Sequence, residues 1–136
     1  MSSPTILALT GLIAWTLALL VLMEALRSRL VMTGTVPANG FRPDNANLSP
    51  FMQRLARAHA NCIEGLPIFG GLLVVALLAD RADVTDGLAL VLLAARIFQS
   101  TVHLASLTPT AVTIRFLAFA VQMGIAVFWT WRLLLA

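Results

Sequence analysis

Two runs of polar residues stand inside otherwise apolar stretches of this chain. Arg54, Arg57, Asn61 and Glu64 follow one another at spacings of three, four and three, which puts them on one face of a helix. Arg96, Gln99 and His103 repeat the pattern at three and four, and Arg115 stands at the head of a further apolar run. A charged side chain near the centre of a membrane span costs about 2.5–3.5 kcal/mol, so such residues are kept where they pair or bind something. One reading is that they only tie helices together, through Arg57 and Glu64 within a helix or Arg96 and Glu64 between helices. Three or four Arg against one Glu leave positive charge over, however, and that excess points to an anionic ligand.

The elements that carry these residues follow from hydropathy. The chain has 136 residues, of which 60% are hydrophobic and 11% charged, too apolar to clothe a soluble domain. A span needs roughly 20 mainly apolar residues. Spans are expected over about 4–26, 50–79, 87–107 and 113–133, giving an all-α, single-domain, four-helix membrane bundle. The first lacks a basic leader and reads as a retained helix. Between Val31 and Ser49, Gly34, Pro37, Gly40 and Pro43 mark a long loop. Ser49-Pro50 then reads as an N-cap followed by proline at the first helical position. The second helix is longer than the hydrocarbon is thick, so its first part should project from the membrane, and Pro67 should kink it.

Arginine placement sets the orientation. Arg27, Arg29, Arg42, Arg54 and Arg57 surround the first connection, whereas the second, Asp80 to Asp86, holds three Asp and one Arg. The positive-inside rule puts the first connection in the cytoplasm and both termini outside. Trp129 and Trp131 fit an aromatic belt at the outer end of the fourth span. Both polar stripes then lie in the cytoplasmic half of the membrane.

Other function classes fare poorly. The net charge of +3 comes from arginines that flank spans, which argues against nucleic acid. The single cysteine, Cys62, gives no disulfide framework and cannot build a metal site alone, and it reads as a small buried apolar group. There is no phosphate loop, no His-Glu metal motif and no nucleophile elbow. Gly70-Gly71 and Ala120-x-x-x-Gly124 suit close helix packing.

The stretch Arg54-Leu-Ala-Arg57-Ala-His59-Ala-Asn61-Cys62-Ile-Glu64-Gly-Leu-Pro67-Ile-Phe69 resembles the signature of the MAPEG family, membrane-associated proteins of eicosanoid and glutathione metabolism. The shared pattern is Arg-Ala-His/Gln-x-Asn-x-x-Glu with Pro-x-Phe shortly after it. Chain length, the four spans, the long first connection and the Ala95-Arg96-Ile97 opening are similar too, as in short bacterial members with a likeness to microsomal glutathione transferases.

That resemblance implies a homotrimer binding glutathione between neighbouring subunits, in sites open to the cytoplasm, with a bacterial inner membrane as the expected location. Arg54, Arg57, His59, Asn61, Glu64, Gln99 and His103 would then contact glutathione. Arg29 resembles the arginine that meets one of its carboxylates. Arg115 resembles the arginine that stabilises the thiolate in catalytic members, and Arg96 and Pro67 take structural parts. The physical chemistry of the tripeptide agrees, since two carboxylates and one ammonium favour several arginines with one acid. A free thiol of pKa about 8.5 is mostly protonated at neutral pH, and a guanidinium in reach favours its anion. The implied activity is that of a transferase or peroxidase, acting on a hydrophobic electrophile or lipid hydroperoxide from the bilayer. The chain departs from the family in having no tyrosine, where many catalytic members carry tyrosines at the positions of Gln99 and His103. The alternative is therefore a non-catalytic lipid- or glutathione-binding protein of the same fold.

Overall fold

The computed structural model describes residues 3–135. It holds four helices: α1 (Pro4–Met32), α2 (Pro50–Leu78), α3 (Ala82–Ala105) and α4 (Pro109–Leu134). All four are long and apolar enough to cross a membrane. At about 1.5 Å per residue, the 29 residues of α1 and of α2 each extend roughly 44 Å, well past the hydrocarbon thickness.

Three of the four helices start by the same local device. Ser3, Ser49 and Thr108 each precede a proline, and their hydroxyls accept hydrogen bonds from Ile6, Met52 and Ala111 N–H. The cap satisfies one orphan donor while the proline occupies a position that has no bond to lose. Thr108-Pro109 therefore starts α4 before residue 113, and Arg115 lies in its second turn rather than at its head. The second connection is also shorter than expected. Asp83 and Asp86 belong to α3, where carboxylates suit the positive end of the helix, and only Ala79, Asp80 and Arg81 separate it from α2. Asp80 makes the turn with φ of 56°. Asp86 also accepts from the Thr5 N–H at 3.1 Å and the Thr5 hydroxyl at 2.5 Å, which pins the start of α1 to the start of α3. Helix α2 stays helical through Pro67.

Helices α2 and α3 each pack on all three others, α3 the more extensively on α4, while the backbones of α1 and α4 do not approach each other. Two apolar clusters fill the bundle. One joins Ala8, Leu12, Phe69, Leu73, Leu92, Ile125 and Trp129. The other joins Leu19, Met23, Met52, Leu55, Ala58 and Cys62. Near the junction of the two clusters come Thr16, Asn61, Arg96, Gln99, Ser100 and Gln122, a polar layer in the otherwise apolar bundle. Gly65 allows the closest approach in this layer, because a Cβ there would lie 2.7 Å from Arg96 Nη2. Gly71 and Gly124, by contrast, meet nothing within the protomer.

The long loop is anchored by one residue. Asn45 is fully buried and adopts φ of 56°. Its Oδ1 accepts from Arg27 Nε at 3.0 Å and Nη2 at 2.6 Å, while its Nδ2 donates to the Met52 carbonyl at 2.7 Å. The loop is thereby stitched to both α1 and α2.

Candidate functional site: a polar layer opening on an apolar groove

Arg96 is the centre of the layer. It is 3% exposed and has no carboxylate partner among the described residues. Its guanidinium instead stacks near the rings of Phe69 and Phe119, at 5.5 and 5.9 Å from their centroids. The two rings meet edge to face at 6.3 Å. Arg96 Nη1 donates to the Asn61 carbonyl at 3.4 Å, and Nη2 has no partner. A cation–π cage of this kind is worth about 2 kcal/mol when desolvated, which offsets part of the burial cost.

Neither ion pair of the helix-tying reading forms. Among the described residues the salt bridges are Arg27 with Glu24 and Arg81 with Asp83, both elsewhere. Glu64 is exposed and in no ion pair among the described residues.

His103 is 1% exposed and takes a hydrogen bond at Nδ1 from the Asn61 amide at 3.4 Å. An NH2 group can only donate, so Nδ1 accepts and the ring proton sits on Nε2. That buried Nε2 has no partner. The charges of Arg115, Arg57 and Arg54 all act on this ring, and Arg57 and Arg115 act on each other. Arg54 Nε donates to the Leu104 carbonyl at 2.9 Å, joining α2 to the end of α3. Arg115 keeps a buried Nε without a partner. Arg54 thus reaches the end of α3 one residue from His103, and the charges of Arg57 and Arg115 are close enough to act on the same ring.

Two hollows border Asn61 and Glu64. A groove of about 840 Å³ starts at Asn61, Glu64, Arg96 and Gln99 and continues between apolar walls, among them Phe119, Val127 and Trp131, to Leu134. A smaller hollow of about 310 Å³ lies on the other side of Asn61 and Glu64, bordered by Arg57 and Asp44. Asn61 and Glu64 stand on the ridge between the two. Arg29 is elsewhere: it lines a separate cavity of about 790 Å³ formed by the end of α1, the loop and the start of α2. His59 lines neither of the hollows that Asn61 and Glu64 border. Within one protomer the structure therefore gathers Arg54, Arg57, Asn61, Glu64, Arg96, Gln99, His103 and Arg115, and leaves Arg29 and His59 outside. Pro67 is exposed on α2 beyond the polar layer.

Two contributors were missed by reading the sequence. Gln122 is fully buried on α4, and its Nε2 donates to Gln99 Oε1 at 2.8 Å and to the Ala118 carbonyl at 3.1 Å. The signal was present, since Gln122 is a lone amide in an apolar run and the cost argument applied to Gln99 applies to it as well. Ser100 is the other, paired with Cys62 Sγ at 3.3 Å. Among the described residues no three of His, Cys, Asp and Glu come together to hold a metal ion.

No curated protein and no solved structure matches this chain. The family model of the MAPEG family does match it, over residues 5–135, nearly its whole length. A signature on α2, four spanning helices and that match together establish that the chain belongs to the MAPEG family.

Proposed function

We propose that the protein is a membrane-embedded, glutathione-dependent transferase or peroxidase. The observation that carries this reading is that Asn61 and Glu64 stand between an apolar groove and a hollow bordered by Arg57, with Glu64 in no ion pair among the described residues. Glutathione brings two carboxylates and an ammonium to such a site. The guanidinium of Arg57 and the amide of Asn61 would hold carboxylate, and Glu64 the ammonium, by charge-assisted hydrogen bonds. Arg115 would stabilise the thiolate once the thiol has released its proton to solvent. The sulfur then attacks a hydrophobic electrophile, forming the S–C bond as the leaving group departs. With a lipid hydroperoxide it attacks the terminal oxygen instead, forming an S–O bond as the O–O bond breaks and the alkoxide leaves as alcohol, and a second glutathione then displaces water to give the disulfide. No protein cysteine is needed, which agrees with Cys62 being buried against Ser100.

Arg29 fits this scheme in an assembly, where its cavity would face a neighbouring subunit's polar layer. The arginines around the first connection support a site open to the cytoplasm. Two facts favour the binding-only alternative: the chain has no tyrosine, and the buried His103 is hydrogen-bonded to Asn61. Calorimetric titration of the detergent-purified protein with glutathione tests the first step. Thiolate absorbance in the ultraviolet and turnover of a generic aromatic electrophile test the second. Binding with neither thiolate nor turnover would move the binding-only reading ahead, and no binding would end both glutathione readings.

A further inference from the structure

The buried amide pair of α3 and α4 fixes a direction. The Ala118 carbonyl can only accept a hydrogen bond, so the Gln122 side chain must turn its NH2 toward it. The same NH2 reaches Gln99, which must therefore present its oxygen to Gln122. The NH2 of Gln99 is left directed away from Gln122. It makes no hydrogen bond among the described residues, and Gln99 lines the apolar groove. Arg96 lines the same groove, is nine-tenths buried and more, and holds Nη2 without a partner. The α3 wall of the groove thus offers two unused donors, and neither residue has an acceptor atom free there.

A buried donor left unpaired is costly, as Arg96 Nη2 is here, and with the Gln99 NH2 open beside it the groove favours a ligand that supplies an oxygen. Apart from Asn61, Glu64 and Thr130, the rest of the lining is hydrocarbon and aromatic, including Phe119, Val127 and Trp131. Glu64 stands at the polar end of the same groove, and its carboxylate disfavours a second anion there. From this geometry we infer that Arg96 and Gln99 form a notch for the neutral acceptor oxygen of an extended hydrophobic co-substrate, a carbonyl or hydroperoxide oxygen, with Gln122 as the residue that orients Gln99. This rests on the transferase or peroxidase reading for its purpose and assigns Gln99 to the second substrate rather than to glutathione. A donor pair on the oxygen of a carbonyl or peroxide bond draws charge toward that oxygen as the thiolate attacks.

The test is a binding comparison that needs no glutathione. Trp131 lines the groove, so its fluorescence reports occupancy in the detergent-purified full chain, and Trp131→Phe controls for the other two tryptophans. The probes are 2-undecanone and undecane, equal in chain length and different in one oxygen. The quantity read is the ketone-to-alkane affinity ratio, because partition into micelles is the same for every variant. Gln99→Met keeps side-chain length and removes the donor. It should lower the ratio about tenfold while leaving undecane binding unchanged, in line with loss of one desolvated hydrogen bond. Gln122→Met leaves Gln99 in place but frees its amide to turn, and should lower the ratio about threefold. A purely structural effect of either change would weaken both probes alike. An unchanged ratio in whichever of the two variants folds, or equal losses for both probes, overturns the inference. A parent that ignores glutathione but shows the ratio shift would sink the transferase reading alone, and one that takes glutathione without the shift would sink only the notch.

Discussion

Arg115 and Glu64 separate chemistry from binding at the scale of single residues. If Arg115 stabilises a thiolate, Arg115→Ala should keep fold and glutathione affinity and lose rate. A charge-assisted hydrogen bond in a partly dry site is worth about 1.5–3 kcal/mol, so steady-state kinetics should show roughly a tenfold to hundredfold fall in kcat. Glu64→Ala should instead weaken glutathione binding in calorimetry, with kcat on saturated enzyme nearly kept. It should cost little stability in the protomer, because Glu64 has no ion pair there to lose. Most of the polar layer was legible in the sequence because charged and amide side chains inside spans are expensive enough to demand a reason. What the spacing hid was partnership. Arg96 looked like a partner for Glu64, but Phe69 and Phe119 come to it from two other helices, and helical periodicity says nothing about aromatic rings across an interface. Gln122 went unread because a single amide makes no stripe.

At the scale of elements, caps and one loop residue decide where the helices stand. The start of α2 was legible from Ser49-Pro50, and the start of α4 was equally written in Thr108-Pro109, where the local signal outranked hydropathy. The start of α3 was not, because its acids looked like a polar connection although carboxylates stabilise a helix N-terminus. The loop's fixed path was illegible too, since it hangs on Asn45 meeting Arg27 and Met52 from two helices. Asn tolerates a positive φ, and its buried amide joins α1 to α2. Asn45→Ala adds backbone strain and leaves the Met52 carbonyl and Arg27 short of a partner, a loss of about 2–4 kcal/mol. Asn45→Gly relieves the strain alone and should unfold at a lower temperature than the parent but not below Asn45→Ala. Thermal unfolding of the three proteins in one detergent checks the order, and a Gly variant as stable as the parent would show that the hydrogen bonds contribute nothing.

At the scale of the whole molecule, charge placement and exposure make separate demands. Arginines crowd the connection between α1 and α2, so that connection should be cytoplasmic and both ends outside. Reporter fusions at Asn39 and Ala136 should give opposite answers, and a cytoplasmic Ala136 would invert the bundle. The second demand concerns α2. Arg57 and Glu64 are exposed on a spanning helix, with Ile63 and Ile68 also open beside them at 48% and 60%. Leaving a carboxylate and a guanidinium on a lipid-facing surface costs about 2.5–3.5 kcal/mol each near the bilayer centre, so a lone protomer is an unfavourable end state. A neighbouring copy would cover that face, and it would also bring an Arg29 cavity, which no single protomer joins to its own polar layer. A closed ring of three meets both needs with one repeated interface, as the signature's family likeness implies. Native mass spectrometry in mild detergent should then show a trimer, and Glu64→Ala and Arg57→Ala should each shift its dissociation midpoint without unfolding the monomer. A stable monomer that still binds glutathione would mean that the polar face of α2 is satisfied by the ligand itself, with Arg29 taking no part.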